Sequence, residues 1–171
     1  MPPPVTNIRR YEPADLESVV AIFRSNIPKY FGPSEEEGLR NFLRDERGEE
    51  YYVMEMNGEI VGCGGIALNE TEMPTVSLCW GMVREDHLGT GFGRKLTEFR
   101  IGLAREKFGR LPLTVSTSQH TQGFYEKFGF RLIEHTPDGL GPGSTSARCG
   151  LKVSPRGRFG RTLMVPFAAY M

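Results

Sequence analysis

A strand-like run that leads through a glycine-rich turn into an amphipathic helix limits the folds open to this chain. Residues 74–83 are mostly apolar, and the turn Leu88-Gly89-Thr90-Gly91-Phe92-Gly93-Arg94 follows shortly after them. Apolar side chains then recur at helical spacing, at Phe92, Leu96, Phe99 and Leu103. Gly109 is a typical residue for the end of that helix. A strand, a turn and a helix in this order predict an α/β fold with a crossover connection.

The remaining pattern predicts six more strands and three more helices. Strands are expected at residues 5–10, 51–56, 59–68, 111–116, 130–135 and 147–153, and helices at 15–26, 34–43 and 121–128. Asn57-Gly58 separates two of these strands and is a strong hairpin signal, because both residues tolerate positive φ. Ser34 and Glu37 have the spacing of a capping box, in which each side chain bonds the backbone N–H of the other residue.

The balance of charges excludes several kinds of protein. Lysine plus arginine and aspartate plus glutamate each total 21, so the formal net charge is zero. This balance disfavours a nucleic-acid-binding protein and a polybasic membrane-binding protein. No apolar run reaches the roughly 18–20 residues that span a bilayer, and the first residues lack the pattern of a signal peptide.

The cysteines and the chain length indicate the compartment and the number of domains. Cys63, Cys79 and Cys149 are odd in number and widely spaced, which predicts reduced thiols in a cytoplasmic protein. Without a CxxC pair or a close pair of histidines, we expect no metal site. We expect one domain over residues 1–153, with a tail or an extra edge strand at 154–171.

The glycine-rich turn has the properties of a phosphate-binding site. The first backbone N–H groups of a helix lack partners, the helix dipole is positive there, and glycines allow a close approach. Two common nucleotide patterns fail, because Arg94 stands where both the dinucleotide fingerprint and the P-loop require glycine. The third interpretation is a loop that binds the pyrophosphate of coenzyme A.

Two motifs resemble those of the GNAT superfamily of acyl-CoA N-acyltransferases. Residues 88–93 are similar to its central motif Q/R-x-x-G-x-G/A, with Gly91 and Gly93 in place and Leu88 instead of glutamine or arginine. Residues 124–130 contain the later motif FYxKxGF as Phe-Tyr-Glu-Lys-Phe-Gly-Phe, and Ser118 replaces the usual upstream asparagine. The resemblance implies a GNAT-like α/β (α+β) domain, with a mixed, mostly antiparallel central sheet of six to seven strands flanked by about four helices.

The resemblance also implies acetyl-CoA as the cosubstrate and assigns residues to it. The expected cofactor-binding residues are Met82, Val83, Leu88, Gly89, Thr90, Gly91, Phe92, Gly93, Arg94, Ser118 and Tyr125. The strand at 74–83 is expected to splay from the strand at 111–116, so that its freed backbone groups pair with the pantetheine arm. Tyr125 matches the family's usual general acid, which protonates the departing thiolate.

The sequence does not identify the general base. Many relatives use a carboxylate on the strand that corresponds to residues 76–83, and this strand contains no acid. Ser77 is a candidate because its hydroxyl can hold a water molecule, and His120 is a candidate because imidazole titrates near neutral pH. Glu70, Glu72, Glu85 and His87 are further alternatives. Trp80 either lines the acceptor pocket or fills the core.

The leading hypothesis is therefore an N-acetyltransferase that moves an acetyl group to a primary amine, with a small molecule as the expected acceptor. One alternative is a catalytically silent acyl-CoA sensor of the same fold, and another is an unrelated nucleotide-binding protein. We expect neither nucleic acid nor a membrane as a partner. An exposed edge strand is compatible with a homodimer.

Overall fold

The computed structural model of the protein describes residues 5–45, 50–140 and 145–152. Its strands are β1 (Thr6–Arg10), β2 (Tyr51–Met56), β3 (Glu59–Asn69), β4 (Thr75–Val83), β5 (Leu113–Ser118), β6 (Arg131–Thr136) and β7 (Ser146–Leu151). Its α-helices are α1 (Leu16–Ser25), α2 (Glu36–Arg44), α3 (Phe92–Phe108) and α4 (Gln122–Glu126). The predicted order of strands and helices is confirmed. Val153 and the predicted tail at 154–171 lie outside the described residues.

The seven strands form one mixed sheet in the order β1-β2-β3-β4-β5-β7-β6. Every neighbouring pair is antiparallel except β4 and β5, which are parallel and are joined through α3. The hairpin between β2 and β3 turns at Asn57 and Gly58, with φ of 53° and 84° as a type I′ turn requires. The predicted fold class, a mixed and mostly antiparallel sheet with four helices, is confirmed.

Apolar side chains bury both faces of the sheet. Helices α1 and α2 cover one face, where Val19, Phe23 and Leu39 pack on β2 and β3 without exposure to solvent. Helices α3 and α4 cover the other face. Each fully buried side chain of this size contributes about 1.5–3 kcal/mol through the hydrophobic effect, so the sheet is held firmly between two layers.

The start of α2 differs from the sequence prediction. The capping box at Ser34 and Glu37 is wrong, because the chain turns two residues earlier. Gly32 donates its backbone N–H to the Glu35 carboxylate over 2.6 Å, and a 3₁₀ turn at Pro33–Glu35 leads into the helix. Proline has a fixed φ that suits a first helical position, so Pro33 sets the start and Glu35 closes the turn.

The strand β5 begins two residues later than the apolar pattern predicted. The predicted strand covered residues 111–116, whereas the structure forms it at Leu113–Ser118. The Leu111 carbonyl instead accepts a hydrogen bond from Arg105 of α3. The difference brings Ser118 into the strand and moves the end of β5 closer to α4.

A partly buried ion pair ties β1 to the first helical turn. Arg9 donates to both carboxylate oxygens of Asp15 over 2.8 and 2.9 Å, and it also bonds Glu55 of β2. The Glu12 backbone N–H donates to Asp15 as well. These hydrogen bonds, above all those from Arg9, lower the pKa of the largely buried Asp15 carboxyl.

Replacement of Asp15 by asparagine should destabilise the protein. We expect Asp15→Asn to lower the free energy of unfolding by about 1.5–3 kcal/mol, because it removes charge-assisted hydrogen bonds from a buried site. The folded-state pKa of Asp15 lies below its ordinary 3.8. The contribution is therefore fully present above that ordinary value and is lost as the pH falls through the folded-state pKa, so the difference between the two proteins begins to shrink only below about pH 4.

Urea denaturation between pH 3 and pH 7, at steps of about one unit, measures this difference. The control is Glu17→Gln, which removes an exposed carboxylate that pairs with Arg40. We expect it to change stability by less than about 1 kcal/mol. Equal effects of the two substitutions would contradict the role given to Asp15.

Candidate active site

The parallel strands β4 and β5 are paired over only three residues. Val76, Ser77 and Leu78 of β4 lie beside residues 113–115 of β5, and the pairing stops there. Beyond this point residues 79–83 remain paired with β3, while residues 116–118 pair with β7. The two strands therefore part in the middle of the sheet, as the sequence comparison with the family led us to expect.

A β-bulge in β4 accompanies this parting. Cys63 lies opposite Met82 and Gly65 lies opposite Cys79, so Trp80 and Gly81 together face the single residue Gly64. A bulge bends its strand and increases the local twist, which directs the end of β4 away from β5. Trp80 has a φ of 44°, an unfavourable value for a large side chain.

A buried tyrosine holds the bulge in place. The Tyr51 hydroxyl donates to the Trp80 carbonyl over 2.9 Å. Burial raises the pKa of this phenol well above its ordinary value of 10, so the hydroxyl keeps its proton and remains a donor. The strained residue thus has a fixed partner, which is how uncommon backbone conformations persist in folded proteins.

A cavity of about 770 Å³ opens where the strands part. Its wall includes the following residues that the sequence had singled out: Ser77, Trp80, Met82, Val83, Leu88, Gly89, Gly91, Gly93, Arg94, His120 and Tyr125. Thr90, Phe92 and Ser118 do not line the cavity. Phe92 packs in the core, Thr90 donates to the His87 carbonyl, and Ser118 is buried against Thr121.

The glycine-rich turn forms one end of the cavity. Gly89 and Gly91 have φ of 77° and 88°, a conformation that side chains with a Cβ rarely adopt. Gly91 is the last residue before the 17-residue helix α3, so the helix dipole and the first backbone N–H groups point to this turn. Arg94 adds a largely exposed positive charge. The arrangement suits a bound phosphate group.

Tyr125 lies beside the parted strands on the α3 face of the sheet. The short helix α4 holds it, and Gly129 with a φ of 90° lies just beyond that helix. Its ring packs edge-to-face on Phe124 and Phe130, with centroids 5.1 and 5.8 Å away. Tyr125 lines the cavity although only 6% of the residue is exposed.

The sequence analysis missed a buried arginine beside this tyrosine. Arg100 of α3 is 1% exposed, and its Nη2 lies 3.5 Å from the Tyr125 hydroxyl oxygen. A Cβ built on Gly81 would lie 2.4 Å from Nη2, so the glycine leaves the space that the guanidinium occupies. The available signal was its position four residues after Leu96, in the middle of the buried helix face.

Aromatic side chains and one carboxylate form the opposite part of the cavity. Trp80 stacks on Phe31 at 6.1 Å between ring centroids and also contacts Phe23 of the core, so it both lines the cavity and packs in the core. Glu35 also lines this cavity, although the sequence had not singled it out. Burial raises the pKa of the Glu35 carboxyl above its ordinary 4.5.

The candidate bases named from the sequence occupy different positions. Ser77 lines the cavity, and its Oγ lies 3.0 Å from Thr114 Oγ1 and 2.7 Å from the Asn69 amide nitrogen. His120 lines the cavity from the exposed turn after β5. His87 also reaches the wall, but it stacks on Phe92 and contacts Asp86. Glu70, Glu72 and Glu85 lie on exposed loops away from the cavity lining.

The described residues contain neither a membrane-spanning helix nor a cluster of metal ligands. Within residues 5–45, 50–140 and 145–152, none of the helices has the length and apolar character needed to cross a bilayer. The same residues contain no cluster of three or more histidine, cysteine, aspartate or glutamate side chains that could hold a metal ion.

Together, the parted parallel strands, the glycine-rich helix start and the buried tyrosine describe an acyltransferase domain of mixed α/β architecture. The chain belongs to the acetyltransferase (GNAT) family, whose family model matches residues 16–130. The family predicted from the two sequence motifs is confirmed. No curated protein matches the sequence significantly.

Solved structures show the same fold at low sequence identity. The chain is 18% identical to a GCN5-related N-acetyltransferase from Kribbella flavida, with a TM-score of 0.70 over 86% of this chain and 98% of that one. It is 17% identical to the ribosomal-protein-S18-alanine N-acetyltransferase from Escherichia coli, with a TM-score of 0.70 over 94% and 100%.

N-acetylglutamate synthase from Neisseria gonorrhoeae, solved with coenzyme A and N-acetyl-glutamate, is 20% identical with a TM-score of 0.63. The match covers 87% of this chain but only 36% of that protein, so it concerns one part of the larger enzyme.

Proposed function

We propose that this acetyltransferase moves an acetyl group from acetyl-CoA to the primary amine of a small molecule. The observation that carries this proposal is the cavity between β4 and β5, which joins the glycine-rich turn, Tyr125 and the aromatic wall around Trp80. One end suits a phosphate and the other suits an organic cation. The Neisseria relative solved with coenzyme A supports the choice of cofactor.

The glycine-rich turn and β4 are suited to hold acetyl-CoA. The pyrophosphate fits at the backbone N–H groups after Gly89 and Gly91, with Arg94 as a nearby cation. The pantetheine arm fits along the edge of β4 near Met82 and Val83, where β5 has departed and backbone groups can pair with an added strand. Leu88 lacks the usual polar side chain and contributes its backbone.

Three predicted cofactor-binding residues that do not line the cavity support this binding site from outside it. Thr90 holds the turn through its bond to the His87 carbonyl, and Phe92 anchors the start of α3 in the core. Ser118 lies against Thr121, the residue that precedes α4, and so positions the helix that presents Tyr125. We assign these three residues a structural part in cofactor binding.

The chemistry is a direct transfer between two bound reactants. The amine nitrogen attacks the thioester carbonyl carbon, the C–N bond forms, and the C–S bond then breaks with its electron pair on sulfur. A backbone N–H of β4 near the bulge is suited to polarise the carbonyl. Tyr125 gives its proton to the sulfur, and the amine loses one proton overall, so the products are an amide and coenzyme A.

Glu35 is our candidate for the group that receives the amine proton. It is the one carboxylate among the described residues that line the cavity, which Phe31 and Trp80 make suitable for a cation, and its raised pKa brings it closer to the working pH of a general base. Ser77 and His120 remain proposed relay groups, because both line the same cavity. Ser77 can hold a water molecule, and His120 can pass a proton to solvent.

We further propose a cytoplasmic location and a homodimer. Cys63 and Cys149 are buried thiols within the described residues, which fits a reducing compartment. The strand β6 ends the sheet with Leu132 and Ile133 each 41% exposed, so this edge is the proposed subunit contact.

Removal of the Tyr125 hydroxyl tests the general acid. We expect Tyr125→Phe to lower kcat by roughly 10²–10⁴-fold and to leave acetyl-CoA affinity unchanged, because the ring packing is retained. Thiol release with a panel of primary amines measures the rate, and titration calorimetry measures the affinity. Tyr52→Phe is the control, since that hydroxyl contacts Glu50 outside the cavity. An unchanged rate removes Tyr125 from the mechanism, and binding without thiol release identifies an acyl-CoA sensor instead.

A charge in the glycine-rich turn tests the pyrophosphate site. We expect Gly91→Glu to abolish acetyl-CoA binding, because the carboxylate repels the phosphates and the residue requires positive φ. Gly102→Glu introduces the same charge on the exposed side of α3, where no atom lies within 4 Å of an added Cβ. This variant should bind acetyl-CoA normally. Calorimetry with acetyl-CoA compares the two variants. Normal affinity of Gly91→Glu would exclude the turn as the phosphate site.

Glu35→Gln tests the proposed base through the pH dependence of kcat/KM. A base must be deprotonated, so the wild-type rate rises as the pH increases through the raised pKa of Glu35. We expect the variant to lose that part of the profile and about 10²–10⁴-fold of the rate. Glu37→Gln, an exposed change in the first turn of α2, is the control. If Glu35→Gln keeps the wild-type pH dependence of kcat/KM, Glu35 is not the general base and His120 becomes the leading candidate.

A further inference from the structure

Arg100 is a buried positive charge with no ion-pair partner among residues 5–45, 50–140 and 145–152. Only 1% of the residue is exposed, and its Nε and Nη1 atoms have no hydrogen-bond partner among the described residues. The remaining nitrogen, Nη2, has long contacts of 3.3 Å to Thr97 Oγ1 and 3.5 Å to the Tyr125 hydroxyl oxygen. An unpaired buried charge is costly, so its retention indicates a function.

The titratable groups around Arg100 do not neutralise it. Tyr51 of β2 and Cys63 of β3 face the guanidinium, and Tyr125 faces it from α4. Burial raises the pKa of Cys63 to about 12 and that of Tyr51 well above 10. Both side chains are therefore neutral at physiological pH, whereas arginine keeps its charge.

Two glycines leave the space that the Arg100 side chain occupies beside the cavity. A Cβ on Gly64 would lie 3.1 Å from the side-chain Cδ of Arg100, and one on Gly81 would lie 2.4 Å from its Nη2. Both glycines belong to the bulge where β4 leaves β5. The guanidinium thus lies at the cavity wall beneath the gap between the strands, next to the Tyr125 hydroxyl.

We propose that Arg100 is a catalytic residue that binds the coenzyme A thiolate as it leaves the acetyl group. This inference rests on the proposed function. When the C–S bond breaks, the electron pair stays on sulfur and the guanidinium pairs with that negative charge. The phenol proton of Tyr125 then moves to the sulfur. The guanidinium next stabilises the tyrosine oxygen until it regains a proton from water, which balances the proton lost by the amine.

The position of Arg100 favours this anion over a carboxylate on the acceptor. Arg100 approaches the gap from the α3 face, where Tyr125 and the glycine-rich turn also lie. Glu35 and Phe31 line the cavity from the side of α1 and α2. The guanidinium is therefore on the side from which coenzyme A enters, and the acceptor is on the other.

Coenzyme A and desulfo-coenzyme A, which lacks the thiol, give a test that needs no acceptor. Calorimetry at pH values from about 6 to 9 spans the ordinary thiol pKa near 8.5. We expect the wild-type protein to bind coenzyme A about 10–100-fold more tightly than the desulfo analogue at the alkaline end. Ultraviolet absorbance of the thiolate, as the difference between the two complexes, should show deprotonation at lower pH than in free coenzyme A.

The variants Arg100→Met and Arg100→Lys then assign the effect to the guanidinium. We expect methionine to abolish the preference for coenzyme A and lysine, which keeps the charge, to retain part of it. A preference that persists in Arg100→Met, or equal wild-type binding of the two ligands, overturns the proposal while the proposed function stands. If the wild-type protein binds neither ligand, both fail together.

Thermal unfolding without ligand separates this role from a structural one. Arg100→Met removes an uncompensated charge and should raise Tm by at least about 2 °C. The control is Arg105→Met on the same helix, which removes hydrogen bonds to the Leu111 and Gly109 carbonyls and should lower Tm. An Arg100→Met variant that loses stability as Arg105→Met does would make Arg100 a structural residue and overturn the proposal.

Discussion

The hydrogen bond from Tyr51 to the Trp80 carbonyl supports the feature on which the rest of the site depends. It fixes a bulge in which a large residue has positive φ, and that bulge directs β4 away from β5. If β4 and β5 did not separate, they would stay paired along their length and no cavity would open between them. The cavity, its access to Tyr125 and the free edge of β4 all follow from one local distortion.

The same distortion explains why the protein tolerates a buried arginine. Gly64 and Gly81 lie opposite each other at the bulge, and the absence of their side chains leaves space for Arg100. Larger residues would fill this space and improve the packing of the sheet, at the expense of a charged group beside Tyr125. Such an exchange of stability for a charged site is common where proteins bind or transform ligands.

The sequence predicted the features that depend on local chain geometry. Asn57-Gly58 correctly predicted the hairpin, and Gly89 and Gly91 correctly predicted a turn that needs positive φ. Boundaries were less certain where two signals competed, as at Ser34, where the proline and glycine just before it started the turn earlier. Local rules of turns and caps act within a few residues, and for that reason they are readable from sequence.

Glu35 and Arg100 escaped prediction because their roles depend on distant parts of the chain. Glu35 looks like an ordinary acid at the start of a helix until the fold places it in the wall of the same cavity as Trp80 and Phe31. The spacing of Arg100 from Leu96 places it on the buried face of α3, but the space for its guanidinium comes from glycines of two distant strands. The gap in the sheet then separates the two charges, with the Glu35 carboxylate on the side of α1 and α2 and the guanidinium on the α3 side. In the proposed reaction, a proton would leave the amine on one side while negative charge on sulfur is stabilised on the other.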